Sequence, residues 1–397
     1  MKRSALVLAI TAAAAGGTHA GTVTTDGPDI VINTKGGFEA ATTDGQFAFE
    51  IGGRLQWDYD NYSDGYGDGS DSELRRGRVY VAGTILKDWG YKFQYEFDEA
   101  GNSDLEDAYI KYAGLPAYIK GGRFKRPFGL EELTSSKHIS TIERASFYDM
   151  LPVSRSDMNL EIGQETGNYT WALGIYENDG LKDEIDDTGD VTYSYGGRVT
   201  FAPINEAGNV VHLGAAAIRV DYGDNLQDAR LRTRFGVHTG ERIELVDGLD
   251  TIEDEDLYGL EAAWVAGPFS LQGEYVNLQK NATSGAEDVE LDAYYLMATY
   301  NLMGQSRVYS KGEFKSPKGG VELVAKYEGG EAELMDTTEY TQYTLGVNWY
   351  VNKNVRLSAN YLNFDLDDTD GFGFAPIVAG VDGEDGSAFT VRAQLVF

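Results

Sequence analysis

The 397-residue chain has no cysteine, which excludes a disulfide framework and a thiol nucleophile. Its four histidines, His19, His138, His212 and His238, are scattered along the chain. Neither an HExxH nor a GxSxG pattern occurs, so hydrolytic catalysis has no foothold. No stretch reaches the roughly 18 consecutive apolar residues of a membrane-spanning helix. Cations are scarce: 33 Lys and Arg stand against 64 Asp and Glu, for a net charge of −31. That balance offers no footprint for a nucleic acid. No stretch has the ligand spacing of an EF-hand, and nothing in the chain requires a cofactor.

The first residues, MKRSALVLAITAAAAGGTHA, have the layout of an export leader. Lys2 and Arg3 are followed by a short apolar run from Ala5 to Ala15. Thr18-His19-Ala20 then places a small residue before a cut. Residues 1–20 are therefore expected to be a signal peptide, and residues 21–397 the mature, exported domain.

The mean hydropathy of −0.36 resembles that of a soluble protein. A transmembrane β-barrel has the same average, because only alternate residues face lipid. From residue 46 onward the chain does alternate. In FAFEIGGRLQWDY, Phe47, Phe49, Ile51, Leu55, Trp57 and Tyr59 share one face, and Glu50, Arg54, Gln56 and Asp58 the other. YKFQYEFD, YTLGVNWYV and the final AFTVRAQLVF repeat the pattern. Period two over about ten residues is the signature of a tilted, bilayer-crossing strand. Aromatics cluster toward segment ends, as an interfacial girdle requires. About sixteen such segments can be counted, an even number that suits a closed antiparallel barrel.

Connections alternate between tight turns (86–90, 114–116, 266–268, 351–354) and long acidic stretches (63–73, 178–190, 364–373). Short turns at one end and long loops at the other are the outer-membrane layout. The loop acid reads as plain solvation, as divalent-cation bridging to a lipopolysaccharide surface, or as runs such as Asp64–Asp71 holding Ca²⁺.

Two stretches carry more specific information. In DARLRTRFGVH, Arg230, Arg232 and Arg234 alternate with Leu231, Thr233 and Phe235. Such a rung of cations needs an anionic solute or facing carboxylates. The second stretch, GGRFKRPFGLEELTSSKHISTIERASFYDMLPVSRSDMNLE (121–161), is too long for a hairpin loop. Ser140-Thr141-Ile142-Glu143 predicts a short capped helix within it.

This stretch closely resembles the loop after the fifth strand of the phosphate-selective porin O and P family. GGRLQWD, LRRGRVYVAGT, KDWGYKFQYEFD, DAYIKY and GGVELVAKY resemble that family too, in its order. The resemblance implies an all-β transmembrane barrel, usually trimeric, in a Gram-negative outer membrane. It also implies that a constriction loop, at about 125–158, folds into the pore. Family members of known preference pass anions along a lumen ladder of arginines and a lysine-rich constriction. On that pattern Arg230, Arg232 and Arg234 form the ladder. Arg54, Arg76, Arg78, Arg198, Arg219 and Arg392 fall on the polar, lumen-facing phases of their segments. Lys125, Arg126, Lys137 and Arg144 are the candidates for constriction charge. Lys125 and Arg126 are adjacent, so at most one of them faces the lumen. Glu131, Glu132 and Glu143 share the loop and offset its cations.

Arginine suits the task because it stays charged and offers planar paired donors. The expected function is a passive, water-filled pore preferring anions, with phosphate or a related oxyanion as solute. The alternatives are a weakly selective porin of the same shape, a non-transport surface barrel, and a secreted β-sandwich.

Overall fold

The structure, a computed structural model, describes residues 21–23, 27–34, 37–65, 67–97, 103–178, 192–223, 226–246, 248, 250–335, 337–368 and 385–397. The expected leader (1–20) and most of two expected acidic loops (179–191 and 369–384) lie outside the described residues.

Sixteen antiparallel strands form a closed barrel. The first eight are β1 (Phe47–Asp64), β2 (Gly69–Ile85), β3 (Trp89–Phe97), β4 (Ser103–Tyr112), β5 (Tyr118–Lys125), β6 (Arg155–Glu165), β7 (Tyr169–Glu177) and β8 (Tyr193–Glu206). The rest are β9 (Asn209–Asp221), β10 (Asp250–Ala266), β11 (Phe269–Ala282), β12 (Val289–Asn301), β13 (Gly320–Glu333), β14 (Thr337–Tyr350), β15 (Val355–Asp368) and β16 (Asp385–Val396). Each pairs with the next, and β16 pairs with β1 from Gly386↔Asp64 to Val396↔Arg54. Phe397 completes the seam: its N–H donates to the Gly53 carbonyl, and the Gly53 N–H donates back. A Cβ at Gly53 would lie 2.5 Å from both the Arg78 carbonyl and the Phe397 ring, so the seam requires glycine there.

The alternation reads out as two faces. Trp57, Leu173, Leu260, Leu296, Leu345 and Phe389 point outward and are exposed, as a lipid-facing wall demands. Trp89, Trp264 and Trp349 stand outward near the end that carries the tight turns, which is the periplasmic end in this layout. Toward the opposite rim the outward positions turn acidic. The register sets Asp221 against Asp254, Glu290 against Glu333, Asp292 against Glu331, Glu339 against Asp367 and Asp365 against Asp385. Much of the acid assigned above to loops is therefore on strand ends. The expected loop at 63–73 is largely strand, because β1 runs to Asp64 and β2 starts at Gly69.

Among the described residues, three connections fold inward. The loop 126–154 enters the lumen as expected. Its α-helix lies at Leu130–Leu133, and the 3₁₀ helix that follows Ser140, at Ser146–Asp149, starts from Ala145 with no side-chain cap. Glu143 does not cap a helix, because three arginines take its carboxylate instead. The connection 222–249 also crosses the lumen: Phe235 stacks on Phe364 of β15 at 4.5 Å, and Thr239 donates to Asp60 of β1. Leu231, Phe235 and Val237 pack with Phe128 and Phe147 of the other loop in one buried apolar cluster. The third is on the periplasmic side, where 302–319 carries a small hairpin, Val308–Ser310 with Glu313–Lys315. Its Gly312 carbonyl accepts from Arg198, and Lys311 pairs with Glu165 at 2.8 Å.

Candidate anion pathway

Two cavities inside the barrel follow from this arrangement. The central one, about 450 Å³, lies between β1–β5, the inward loop and the periplasmic hairpin. Nine lysines and arginines line it against three carboxylates, Glu50, Asp107 and Glu313. A chain with a strong negative balance therefore concentrates positive charge around this lumen cavity.

Most of these cations are neutralised in place. Arg78 donates to Glu96 at 2.7 Å and pairs with Glu106 at 2.6 Å. Lys92 pairs with Asp107, and Arg155 reaches both Glu106 and Asp107. Lys125 and Arg144 share the single carboxylate of Glu132. Burial opposes ionisation of Glu132, but Arg144 and Lys125 outweigh it and hold the carboxyl below its ordinary range. Lys120 is 3.7 Å from Glu161 and 3.6 Å from the centre of the Phe124 ring.

Three cations have no carboxylate partner among the described residues. Arg54 donates only to the Ser135 hydroxyl, at 2.8 Å. Lys137 lies 5.8 Å from the centre of the Tyr80 ring, and Lys315 enters from the hairpin. Burial, then the neighbouring Arg54 and Lys92, lowers Lys137 to about 8. His138, next along the loop, is tied by Nδ1 to Ser316 beside the hairpin. Burial and Lys137 push His138 down to about 3, so it stays neutral.

The outer cavity, about 120 Å³, is lined by Arg75, Arg76, Arg144 and Arg234 with Glu132, Glu143 and Asp149. Arg144 lines both cavities and stands between them. Its guanidinium also holds the Glu131, Glu132 and Thr134 carbonyls, which fixes the loop's turn around it. Arg75 sits at a β-bulge: Gln56 pairs with Arg76 while the next residue, Trp57, pairs with Leu74. The extra residue lets two adjacent arginines reach one lumen carboxylate, which strict alternation forbids.

The sequence-predicted residues divide clearly. Arg54, Arg76, Arg78 and Arg198 point into the lumen, and Arg392 does so fully buried against Asp58. Arg198 spends its charge on Glu261 and the hairpin carbonyl. Arg219 does not belong to the lumen. It shares the outward phase of Leu213 and bridges Asp254 and Asp256. Of the adjacent pair, Lys125 lines the central cavity, while Arg126 is buried against the Pro152 and Glu177 carbonyls and Asn178. Arg230, Arg232 and Arg234 alternate with buried Leu231, Thr233 and Phe235, as their spacing predicts. They do not stand on the barrel wall, however. Arg232 lies in a short strand of the inward connection, opposite Glu244, and Arg230 pairs with Asp228 at 3.0 Å. Arg234 lines the outer cavity. Lys92, Lys120, Arg155, Lys315 and Arg75 are the pathway cations that the sequence reading did not single out.

Comparison with known proteins agrees with this geometry. A family model described as phosphate-selective porin O and P matches residues 49–397. Porin O of Pseudomonas aeruginosa is 36% identical, over 99% of this chain and 98% of its own. Among solved structures, an anion-selective porin from Comamonas acidovorans superposes with a TM-score of 0.59 at 14% identity, covering 88% of this chain and 100% of that one. OmpT of Vibrio cholerae in its trimer form gives 0.60, also at 14%, covering 88% and 99%. At that identity the two structures speak to the fold alone. The family match and the Porin O identity carry the assignment: the chain belongs to the phosphate-selective porin O and P family and forms an anion-preferring diffusion channel of the Gram-negative outer membrane.

Proposed function

We propose that the solute is inorganic phosphate or a related tetrahedral oxyanion, and that it travels from the outer cavity past Arg144 into the central one. The observation that supports this most is the nine-to-three excess of cations around the central cavity. Lumen sites must attract an ion yet release it. Paired cations set a moderate field, and Arg54, Lys137 and Lys315 supply the unneutralised charge. Distant acid on the rim is screened beyond about 8 Å. The test is a reversal potential in a planar bilayer under a KCl gradient, followed by titration of the chloride current with phosphate. A shift toward the anion potential, with inhibition by phosphate, is expected. A cation-preferring or indifferent pore defeats this reading.

A pH dependence follows. Lys137 is charged below about 8 and loses its proton as pH rises through that value. Anion preference therefore falls between pH 7 and 9 in the wild type, and Lys137→Arg removes that step. A flat profile in the wild type would rule out Lys137 as a working cation of the pathway.

The rest of the molecule is read in the same frame. Residues 1–20 serve as the export leader and 21–397 as the porin domain, assembled as a trimer. The outward acidic pairs at the loop-bearing rim are directly opposed like charges, which destabilise a sheet. Divalent cations shared with lipopolysaccharide phosphates offset them. Among the described residues no three carboxylates or histidines converge on a metal site, so the lipid must supply the remaining ligands. A chelator should then lower the unfolding temperature in lipopolysaccharide-containing vesicles. The same treatment in zwitterionic detergent should leave it unchanged.

A further inference from the structure

The loop carboxylate of Glu143 is bound as a small oxyanion would be. Its Oε1 accepts from Arg75 Nε at 3.0 Å, Arg76 Nη1 at 3.1 Å and Arg392 Nη2 at 2.6 Å. Its Oε2 accepts from Arg75 Nη2 at 3.2 Å and Arg76 Nη2 at 3.0 Å. Five charge-assisted donors from three guanidiniums meet on one anion. Burial opposes its ionisation, but Arg75, Arg76 and Arg392 hold the carboxyl well below its usual range. Arg392 is also satisfied by a fork to Asp58, and Arg76 donates to Gln56 at 3.3 Å, while Glu143 is the carboxylate that both Arg75 and Arg76 bond.

The backbone around Glu143 is pinned. The Ile139, Ser140 and Ile142 carbonyls accept from Arg356, Asn348 and Arg392. The Thr141 hydroxyl donates to the Glu143 carbonyl at 2.6 Å. The side chain can therefore turn away while the loop stays in place. It would turn within the outer cavity, onto which Arg144 and Arg234 also open.

We propose that Arg75, Arg76 and Arg392 form an oxyanion-binding site in the outer cavity, and that Glu143 is a tethered anion competing for it. Planar guanidinium forks suit a tetrahedral oxyanion as well as a carboxylate. An incoming oxyanion displaces the Glu143 side chain, and the returning carboxylate ejects it toward Arg144. The tether keeps affinity low at a place where three bare guanidiniums would trap the solute. This deepens the pathway proposed above and rests on it for the solute class.

The experiment is phosphate inhibition of the chloride current, with phosphate added on the loop-bearing side, for wild type, Glu143→Gln and Asp149→Asn. Glu143→Gln keeps the side chain's shape but removes its charge. Its half-inhibitory phosphate concentration is expected to fall about tenfold, the worth of one charge-assisted contact. Asp149→Asn makes the same change in net charge in the same cavity without freeing the three arginines, so its effect is expected to be clearly the smaller of the two. Equal inhibition of Glu143→Gln and wild type overturns the proposal. Equal effects of the two variants overturn it as well, since the field alone then suffices. Inhibition seen in Glu143→Gln but absent from wild type upholds the tethered anion while defeating the phosphate pathway. Should Glu143→Gln lose its heat-modifiable folded band, Glu143→Asp withdraws the carboxylate by one methylene. Intermediate inhibition supports the proposal, and wild-type inhibition overturns it.

Discussion

The triple variant Arg54→Ala, Lys137→Ala, Lys315→Ala inserts as a folded barrel and loses most of its preference for anions. It folds because none of the three neutralises a described carboxylate, so no acid is left orphaned. Its loss of preference follows from Coulomb's law. At an effective dielectric constant of about 20, one unit charge roughly 8 Å from an ion contributes about 2 kcal/mol. Mobile ions cut that by about half. Three such charges come to about 3 kcal/mol, roughly a hundredfold in occupancy by a monovalent anion. A dianion feels twice the change, so phosphate inhibition weakens more than chloride selectivity does. The reversal potential and the phosphate titration measure both. A reversal potential equal to wild type would mean that the paired cations carry the selectivity. Arg230→Ala, Arg232→Ala, Arg234→Ala makes the instructive comparison. Arg230 already has Asp228 and Glu244, so this change moves selectivity less.

Glu274→Ala raises conductance and weakens phosphate inhibition by releasing the base of the inward loop. Glu274, on β11, accepts four hydrogen bonds through its carboxylate. Its Oε2 takes the Leu130 amide and the Tyr148 hydroxyl at 2.7 and 2.6 Å. Its Oε1 takes the Glu131 amide and the Tyr295 hydroxyl at 2.7 and 2.6 Å. All are buried, and each orphaned donor costs about 1–3 kcal/mol. Three of the donors belong to the loop and Tyr295 to the wall, so even at the lower figure the loop's share is about 3 kcal/mol, more than a hundredfold in a docking equilibrium. The tip of the loop remains held through Arg356, Asn348 and Arg392, so the opening is local to residues 129–134. That helix carries Glu132, which positions Lys125 and Arg144, and the cations shift with it. Unchanged single-channel conductance in a folded Glu274→Ala channel would show that the base needs no such anchor.

The barrel was legible because period two is a direct projection of a wall with lipid on one side and water on the other. Arg54, Arg76, Arg78 and Arg198 were placed correctly for that reason. Arg219 was misplaced because Ala215-Ala216-Ala217 interrupts the pattern, and three small side chains favour neither face. Arg75 was overlooked because a bulge breaks the count by one residue, and nothing local in LRRGR announces it. The ladder arginines kept their spacing but not their position. Their apolar partners are buried by another inward loop, a contact between distant parts of the chain. Lys315 was hidden by the rule that periplasmic turns are short. Its hairpin has the alternation of a strand but ends inside the pore.

The seam between Phe397 and Gly53 has a consequence for how the protein is made. It joins the first wall strand to the last, from Gly53 to Phe397. Until β16 is threaded into place, β15 and the Arg54–Asp64 stretch of β1 each expose an unsatisfied edge, an invitation to pair with a neighbouring chain. Closure is thus a late, long-range event and intrinsically slow. The nascent barrel must be chaperoned as an open sheet until its final strand arrives, and a chain shortened by that strand would stay permanently adhesive.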